Sequence, residues 1–219
     1  YSSDVGISHT DHRERSKSLL LEIGFALSGF AALAYQVVWA RLLAMVLQSA
    51  SAQALSTILV AFLCGLAGGA AVGAKRADRW NALRAFAVIE LLIGVFGLLS
   101  LIAISAIPSL LHITPEALSY KLHVFKLFGA AFAVMLIPTF LMGMLFPLVA
   151  RLRVSGLSSL GSRIGDIYGV NTVGAIFGAF AAGFILIPLA GTKVSIELLA
   201  WLNVLVGLVL LIAHPSLRR

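Results

Sequence analysis

Six long apolar stretches divide this chain of 219 residues, and each is long enough to cross a lipid bilayer as a helix. A spanning helix needs about 20 mostly apolar residues, because the hydrocarbon core is about 30 Å thick and a helix rises about 1.5 Å per residue. Lipid offers no partner to free backbone groups, and these stretches lack the alternation of barrel strands, so helix is expected. We predict an all-α polytopic membrane protein with spans at 19–41, 54–74, 85–107, 124–150, 166–189 and 194–213.

The composition excludes an ordinary water-soluble domain. Hydrophobic residues make up 60% of the chain and charged residues only 11%, too few to cover a soluble surface. Outside the six spans, the sequence predicts a polar cytoplasmic tail at 1–18 and a short basic cytoplasmic tail at 214–219. The net charge of +7 requires no nucleic-acid partner, because basic loops and anionic lipid already account for it.

The basic residues are distributed unevenly between alternate loops. Twelve of the sixteen fall in the two tails and in the loops after spans two and four, whereas three lysines, Lys121, Lys126 and Lys193, and Arg41 at the outer end of span one fall on the opposite side. Because basic loops stay on the cytoplasmic side of a membrane, both termini are predicted to be cytoplasmic. The twelve are Arg13, Arg15, Lys17, Lys75, Arg76, Arg79, Arg84, Arg151, Arg153, Arg163, Arg218 and Arg219.

Spans two and five each carry a pair of glycines in GxxxG spacing, Gly69 with Gly73 and Gly174 with Gly178. Residues four apart share a helix face, so each pair predicts a groove in which another helix packs closely. Asn171 lies on the face of the second pair, where it either hydrogen-bonds across the helix contact or belongs to a polar binding site. Matching glycine helices in the middle of each half indicate an inverted three-plus-three repeat, which is transporter-like.

Three acidic residues lie near the predicted cytoplasmic ends of spans one, three and five: Glu22, Glu90 and Asp166. Ionisable groups in a membrane are costly, so each is a candidate for substrate binding. The alternative for Glu22 is a carboxylate that extends to the membrane surface, and the alternative for Asp166 is a helix N-cap. The alternative for Glu90 is a salt bridge to an arginine of the cytoplasmic loop, to which Arg84 belongs.

The end of span one combines aromatic and polar side chains. Tyr35 and Trp39 are four residues apart and share a helix face, whereas Arg41 points elsewhere. Aromatic and basic residues at this position are typical anchors at the membrane interface. The alternative is a polar pocket lined by Gln36, Trp39 and Arg41.

Catalytic and metal-binding patterns do not stand out in the loops. Cys64 is the single cysteine, so no disulfide or cysteine metal site can form within one chain. The loops show no Ser/His/Asp, Cys/His or paired-carboxylate constellation. We therefore predict no catalysis, no metal and no cofactor.

Several runs resemble the membrane part of bacterial spermidine-synthase-like proteins, and together they cover nearly all of 20–213. The most specific are the Tyr-Gln-Val-Val-Trp-Ala-Arg run that begins at Tyr35 and the Tyr-Gly-Val-Asn-Thr-Val-Gly-Ala run that begins at Tyr168. The Ala-Asp-Arg turn at Asp78, after span two, weakly resembles the loop of the major facilitator superfamily. It lacks the usual glycine four residues before Asp78, where this chain has Ala74. The runs are SGFAALAYQVVWARLLAMVL at 28–47, LVAFLCGLAGGAAVGAKRADR at 59–79, IELLIGVFGLL at 89–99, PTFLMGMLFPLVARL at 138–152 and IYGVNTVGAIFGAFAAGFILIPLAG at 167–191.

In the family that this chain resembles, a bundle of membrane helices, often likened to the major facilitator superfamily, is joined to an aminopropyltransferase domain. The resemblance implies half of a major-facilitator-like bundle, a bacterial inner-membrane location and a connection to polyamine metabolism. The chain stops at Arg219 and lacks the Gly-rich loop and paired aspartates of the catalytic domain. We expect no aminopropyl transfer by this polypeptide alone.

Two functions follow as hypotheses. The first is a membrane module that handles or transports a small cationic metabolite such as a polyamine, since carboxylates in a low-dielectric cavity attract an ammonium group strongly. The second is a structural or accessory subunit that anchors or organises a larger membrane complex. The expected partners are the lipid bilayer and either other membrane proteins or a separate aminopropyltransferase-like domain.

Overall fold

The computed structural model describes residues 4–46, 52–112, 120–153 and 160–213, and the regular secondary structure within these ranges is helical, as predicted. Helix α1 begins within the predicted polar tail, and the predicted tail at 214–219 lies outside the described residues. The helices are α1 Asp4–Val46, α2 Ala52–Arg76, α3 Ala82–His112, α4 Tyr120–Arg153, α5 Leu160–Ala181 and α6 Ile187–Ala213, with a π-helical turn at Ala182–Leu186 before α6.

Five helical segments of the described chain are long and apolar enough to cross a membrane. This finding confirms an all-α fold with membrane-length apolar helices. The segments are Leu19–Met45, Ile58–Arg76, Ala82–Ile107, Phe132–Leu152 and Gly161–Ala213. The last one has 53 residues and contains two of the spans that the sequence predicts separately.

Three helix pairs form the most extensive interfaces of the bundle: α2 with α4, α1 with α5, and α3 with α6. Smaller interfaces join α3 to α4 and α1 to α6. Helix α1 contacts every other helix, so its inner face forms much of the core. The largest fully buried side chains include Trp39, Tyr35, Phe62 and Phe86.

The glycine pair of α2 lies directly against α4. A methyl group at Gly69 would collide with the backbone carbonyl oxygen of Phe140, and one at Gly73 would lie 2.9 Å from the Cα of Met144. Residues further along α2 thus meet residues further along α4, so the two helices run parallel. Small residues are what allow the two backbones to come this close.

The glycine pair of α5 lies against α1 in the same manner. A methyl group at Gly174 would collide with the carbonyl oxygen of Ala26, and one at Gly178 would collide with that of Phe30. Helices α1 and α5 therefore also run parallel. Both glycine pairs occupy close helix contacts, which is the role that their spacing predicts.

Two glycines on different helices form the contact between α3 and α6. A methyl group at Gly94 would lie 2.8 Å from the carbonyl oxygen of Ala200, and one at Gly207 would lie 2.7 Å from that of Ala87. Residues further along α3 meet residues earlier in α6. Helices α3 and α6 therefore run antiparallel.

Helices α1 and α3 run in the same direction, because Gly24 of α1 faces Phe86 of α3 and, about three turns later in each helix, Tyr35 faces Gly97. Since α5 runs with α1 and α6 runs against α3, α5 and α6 run in opposite directions. The chain turns at Gly191, whose φ of 77° and ψ of 170° are incompatible with a helix. This backbone conformation is essentially restricted to glycine.

An ion pair joins the loop after α2 to the end of α4. The Nε of Arg151 lies 2.7 Å from the Oδ1 of Asp78, and both side chains are more than half exposed. An exposed pair of this kind adds little stability. It shows, however, that these two basic segments lie at the same end of the bundle.

Candidate functional site

Glu90 is completely buried within α3. Its two carboxylate oxygens have no hydrogen-bond partner among the described residues. Ser28 of α1 faces the carboxylate but does not meet the geometry of a hydrogen bond. The salt bridge to Arg84 is not formed, and Arg84 is exposed instead. A buried carboxylate without a partner is destabilising, so its presence indicates a function.

Asn203 of α6 lies at the same level of the bundle as Glu90. Each of the two residues is three positions after the alanine and four positions before the glycine of the α3–α6 contact. Asn203 is 2% exposed, and its Oδ1 atom has no hydrogen-bond partner in the described part of the chain. The helix crossing therefore encloses two polar side chains whose oxygens are unpaired within the described chain.

Tyr35 and Trp39 lie inside the bundle, both completely buried, and their rings stack with centroids 4.8 Å apart and planes at 23°. The prediction that they anchor the protein at the membrane interface is therefore wrong. The Trp39 Nε1 donates a 3.0 Å hydrogen bond to Ser100 Oγ, which in turn donates a 2.6 Å bond to the carbonyl oxygen of Gly97. The α1 face that carries the aromatic pair packs on α3 and cannot reach lipid.

The Tyr35 hydroxyl connects this aromatic pair to Glu90. Its oxygen packs against Gly97 and has no hydrogen-bond partner among the described residues. Tyr35 also lies within electrostatic range of the Glu90 carboxylate. Along the interior of α1 and α3, the site thus runs from Glu90 past Tyr35 to the Trp39–Ser100 hydrogen bond.

The structure does not form the predicted pocket of Gln36, Trp39 and Arg41. Trp39 is completely buried, Gln36 is half-buried and Arg41 is exposed. The three side chains therefore occupy different environments on different sides of α1. An anchoring role at the membrane interface stays a prediction for Arg41 alone.

The three acidic residues are not brought together. Asp166 is exposed and lies in the second turn of α5, so the alternative of a helix N-cap is also wrong, because α5 begins at Leu160. Glu22 is half-buried in α1 and interacts with a neighbouring group. Only Glu90 of the three lies within the interior of the described bundle.

Asn171 lies in the α1–α5 contact on the face of the glycine pair. A methyl group at Gly29 of α1 would lie 2.6 Å from its Oδ1 atom. This is the position that its spacing from Gly174 predicts, and it belongs to the α1–α5 contact and not to the α3–α6 crossing. Asn171 therefore belongs to helix packing more directly than to the site at Glu90.

Sequence reasoning missed Asn203 and Ser28. The signal for Asn203 was present, since an amide inside a membrane helix needs a partner, which is the reasoning that singled out Asn171. Ser28 carries no comparable signal, because a serine hydroxyl can bond to its own helix backbone. Only the packing of α1 against α3 places it beside Glu90.

The site offers a carboxylate, an amide oxygen, a phenol and a stacked aromatic pair. Carboxylates attract ammonium groups in a low-dielectric interior, and aromatic faces attract them further. Among the described residues, His, Cys, Asp and Glu side chains form no cluster of three that could hold a metal ion. Comparison with protein-family models, with curated proteins and with solved structures finds no match for this chain.

Proposed function

We propose that this chain is a non-catalytic membrane module that handles or transports a small cationic metabolite such as a polyamine, with Glu90 receiving an ammonium group. The main support for this proposal is that Glu90 is completely buried and that neither of its carboxylate oxygens has a hydrogen-bond partner among the described residues. Asn203 supplies a neutral oxygen and the Tyr35–Trp39 pair an aromatic surface beside it. A separate aminopropyltransferase-like domain is the soluble partner that the family resemblance suggests.

The proposal includes six membrane crossings by the helices α1 to α6. The opposite directions of α5 and α6 and the turn at Gly191 support a division of the segment Gly161–Ala213 into two spans. The 53 residues of that segment would measure about 80 Å as one straight helix, far longer than a bilayer is thick.

An inverted repeat of α1–α3 and α4–α6 is the second architectural part of the proposal. In this repeat α1 corresponds to α4, α2 to α5 and α3 to α6. The α1–α5 interface then corresponds to α4–α2, the α3–α4 interface corresponds to α6–α1, and the α3–α6 interface corresponds to itself. These five helix pairs include all the extensive interfaces. The glycine contacts correspond in the same way. Glu90 and Asn203 then occupy equivalent positions of the two repeats, at the repeat interface where transporters bind their substrates.

The location in the membrane completes the proposal. We place the protein in a bacterial cytoplasmic membrane with both termini and the basic loops on the cytoplasmic side. The Asp78–Arg151 ion pair supports this orientation, because it holds two predicted cytoplasmic segments at one end of the bundle. Glu90 lies eight residues inside the segment Ala82–Ile107, about 12 Å from its start.

A binding and uptake assay in proteoliposomes tests the function. Purified Glu90→Gln is expected to bind radiolabelled spermidine at least about tenfold more weakly than the unaltered chain, since it loses the buried charge. Glu197→Gln is the matched control, because this substitution removes the same charge at another position. Glu197 lies in α6 beside Lys193, and the Oε1 of Glu197 is 4.0 Å from the Nζ of Lys193. Equal size-exclusion profiles establish that both variants are folded.

Two results would contradict the assignment of Glu90. One is unchanged spermidine binding by Glu90→Gln, and the other is an equal loss in Glu197→Gln, which would indicate an effect of total charge. Asn203→Leu provides a second test at the same site, and it is expected to weaken binding without changing the net charge.

The alternative function is a structural or accessory subunit of a larger membrane assembly. The observation that favours it is a row of large exposed apolar side chains on the π-helical turn and α5, where Phe184 is 72% and Phe177 is 62% exposed. Beside them lies a groove of about 500 Å³ between α1 and α5, lined in part by Phe30 and Val173. Another membrane helix would fit this surface.

Mild detergent extraction distinguishes the two functions. The accessory function predicts defined co-purifying membrane proteins and no effect of polyamines on the melting temperature. The transport function predicts a rise in melting temperature with spermidine that Glu90→Gln abolishes.

A further inference from the structure

A groove of about 540 Å³ opens at the end of α3 where the chain enters the membrane. Arg79 and Arg84 line its mouth, next to Ala82, at which the apolar segment begins. Its deeper wall is apolar and comes from two helices, with Val88 and Leu92 from α3 and Leu141 and Met144 from α4. The groove therefore combines a cationic mouth at the membrane surface with an apolar wall below it.

The positive charge at the mouth is not compensated within the described chain. Among the residues that the structure describes, neither Arg79 nor Arg84 forms an ion pair, and both are exposed. Arg151, by contrast, is paired with Asp78, and Arg76 lies over the Trp80 ring at 5.6 Å. The two arginines at the groove are thus available for an anionic ligand.

The mouth also has a defined geometry. The backbone N–H of Arg84 donates a 3.1 Å hydrogen bond to the Oδ1 of Asn81, which caps the start of α3. Trp80 lines the groove together with the two arginines, and Arg76 lies over its ring. The cap fixes the backbone of Arg84 in the first turn of α3.

The apolar wall follows one side of α3. Arg84, Val88 and Leu92 follow one another at intervals of four residues and share a helix face, so the wall extends about 12 Å along the helix axis from Arg84 to Leu92. Val88 is 41% and Leu92 is 38% exposed within this wall. A free phosphate would use only the mouth, whereas a ligand with a hydrocarbon chain would use the whole groove.

We propose that this groove binds an anionic phospholipid. Arg79 and Arg84 hold the phosphate through charge-assisted hydrogen bonds, and one acyl chain lies along Val88 and Leu92 against α4. Anionic lipids are enriched in cytoplasmic leaflets and are attracted to basic segments beside membrane helices. The site is independent of Glu90 and of the proposed polyamine function.

Lipid titration of the purified full chain in neutral detergent tests the proposal. Phosphatidylglycerol is expected to raise the melting temperature and to remain bound in native mass spectra, whereas phosphatidylcholine and glycerol phosphate are not. Arg84→Gln should weaken the apparent phosphatidylglycerol affinity about tenfold, the effect of losing one charge-assisted contact. Lys75→Gln is the matched control, because Lys75 is exposed at the same end of the bundle and does not line the groove.

A second variant separates the groove from surface charge. Val88→Trp fills the apolar part of the groove and leaves both arginines in place. This variant should also lose bound phosphatidylglycerol, and circular dichroism checks that the variant is folded. Equal loss in Lys75→Gln, equal binding of glycerol phosphate or phosphatidylcholine, or full retention in both Arg84→Gln and Val88→Trp would each overturn the proposal.

Discussion

Glu90 of α3 and Asn203 of α6 lie at equivalent positions of a single helix crossing, each three residues after an alanine and four residues before a glycine of that contact. Both side chains are buried, and oxygens of both lack hydrogen-bond partners within the described chain. The glycines hold the two backbones so close that neither side chain faces lipid or water. The fold thus maintains a polar pair that destabilises it.

Removal of the buried carboxylate is therefore expected to stabilise the protein. Glu90→Leu should raise the free energy of unfolding by about 1–3 kcal/mol, because it replaces an unpartnered polar group with an apolar side chain of similar size. Thermal unfolding in detergent measures this change. Asp166→Asn, at an exposed position, should have no such effect. A lower melting temperature for Glu90→Leu would show that the carboxylate is satisfied in the folded state.

The Trp39–Ser100 hydrogen bond should contribute measurably to the packing of α1 on α3. A double-mutant cycle with Trp39→Phe and Ser100→Ala is expected to give a coupling energy of about 1 kcal/mol, the net contribution of a buried neutral hydrogen bond. The cycle subtracts the separate effect of the smaller ring. Strictly additive losses would mean that the bond does not contribute to stability.

The two glycine interfaces should respond alike to an added methyl group. Gly69→Ala and Gly174→Ala place a Cβ against a backbone carbonyl of the neighbouring helix, so each should destabilise the bundle by about 1–3 kcal/mol. Gly169→Ala is the matched control in α5, where the added atom meets nothing within 4 Å. Its expected effect is neutral or slightly stabilising, since alanine favours a helix. A loss at Gly169 as large as at Gly174 would refute the packing explanation.

Gly191→Ala should destabilise the protein for a different reason. The space around Gly191 is open, but its φ of 77° is unfavourable for any side chain, so about 1–3 kcal/mol is expected from backbone strain. Gly183→Ala, which also has open space and no positive φ, is the comparison. Thermal unfolding and yield in the membrane fraction report the difference. Equal behaviour of the two variants would exclude a special role for the turn at Gly191.

Cysteine labelling tests the six crossings and their orientation. In a Cys64→Ser background, Lys193→Cys should react with a membrane-impermeant maleimide in intact cells, whereas Lys75→Cys should react only after permeabilisation. Both native lysines are exposed at helix ends. Labelling of the two positions from the same side would contradict the three proposed crossings between them, by α3, α4 and α5.

Most of the fold was predictable from local sequence. Apolar length and composition identify helices of membrane length, and the spacing of Gly69 with Gly73 identifies a face that another helix approaches. The sequence also predicts a gap between the spans at 166–189 and 194–213, and the residue with a non-helical backbone, Gly191, lies within that gap.

The interior of the bundle was less predictable. The sequence predicts Tyr35 and Trp39 at the membrane interface, whereas they lie in the core. It allows Asp166 as a helix N-cap, whereas Asp166 lies exposed within α5. In water, hydrophobicity distinguishes the inner face of a helix from the outer face, but lipid is as apolar as the core. Periodicity alone therefore cannot say which face of a membrane helix is buried.

The order of residues by itself determined that this chain forms long apolar helices, because backbone polar groups must be satisfied within each segment in lipid. It also determined that Glu90 lies on one of them. Only the tertiary structure decided that Glu90 is buried at the level of Asn203 with no ionic partner among the described residues, and that Arg79 and Arg84 line a groove. Those relationships depend on which helices meet and at what level, and small residues scattered over several helices decide both.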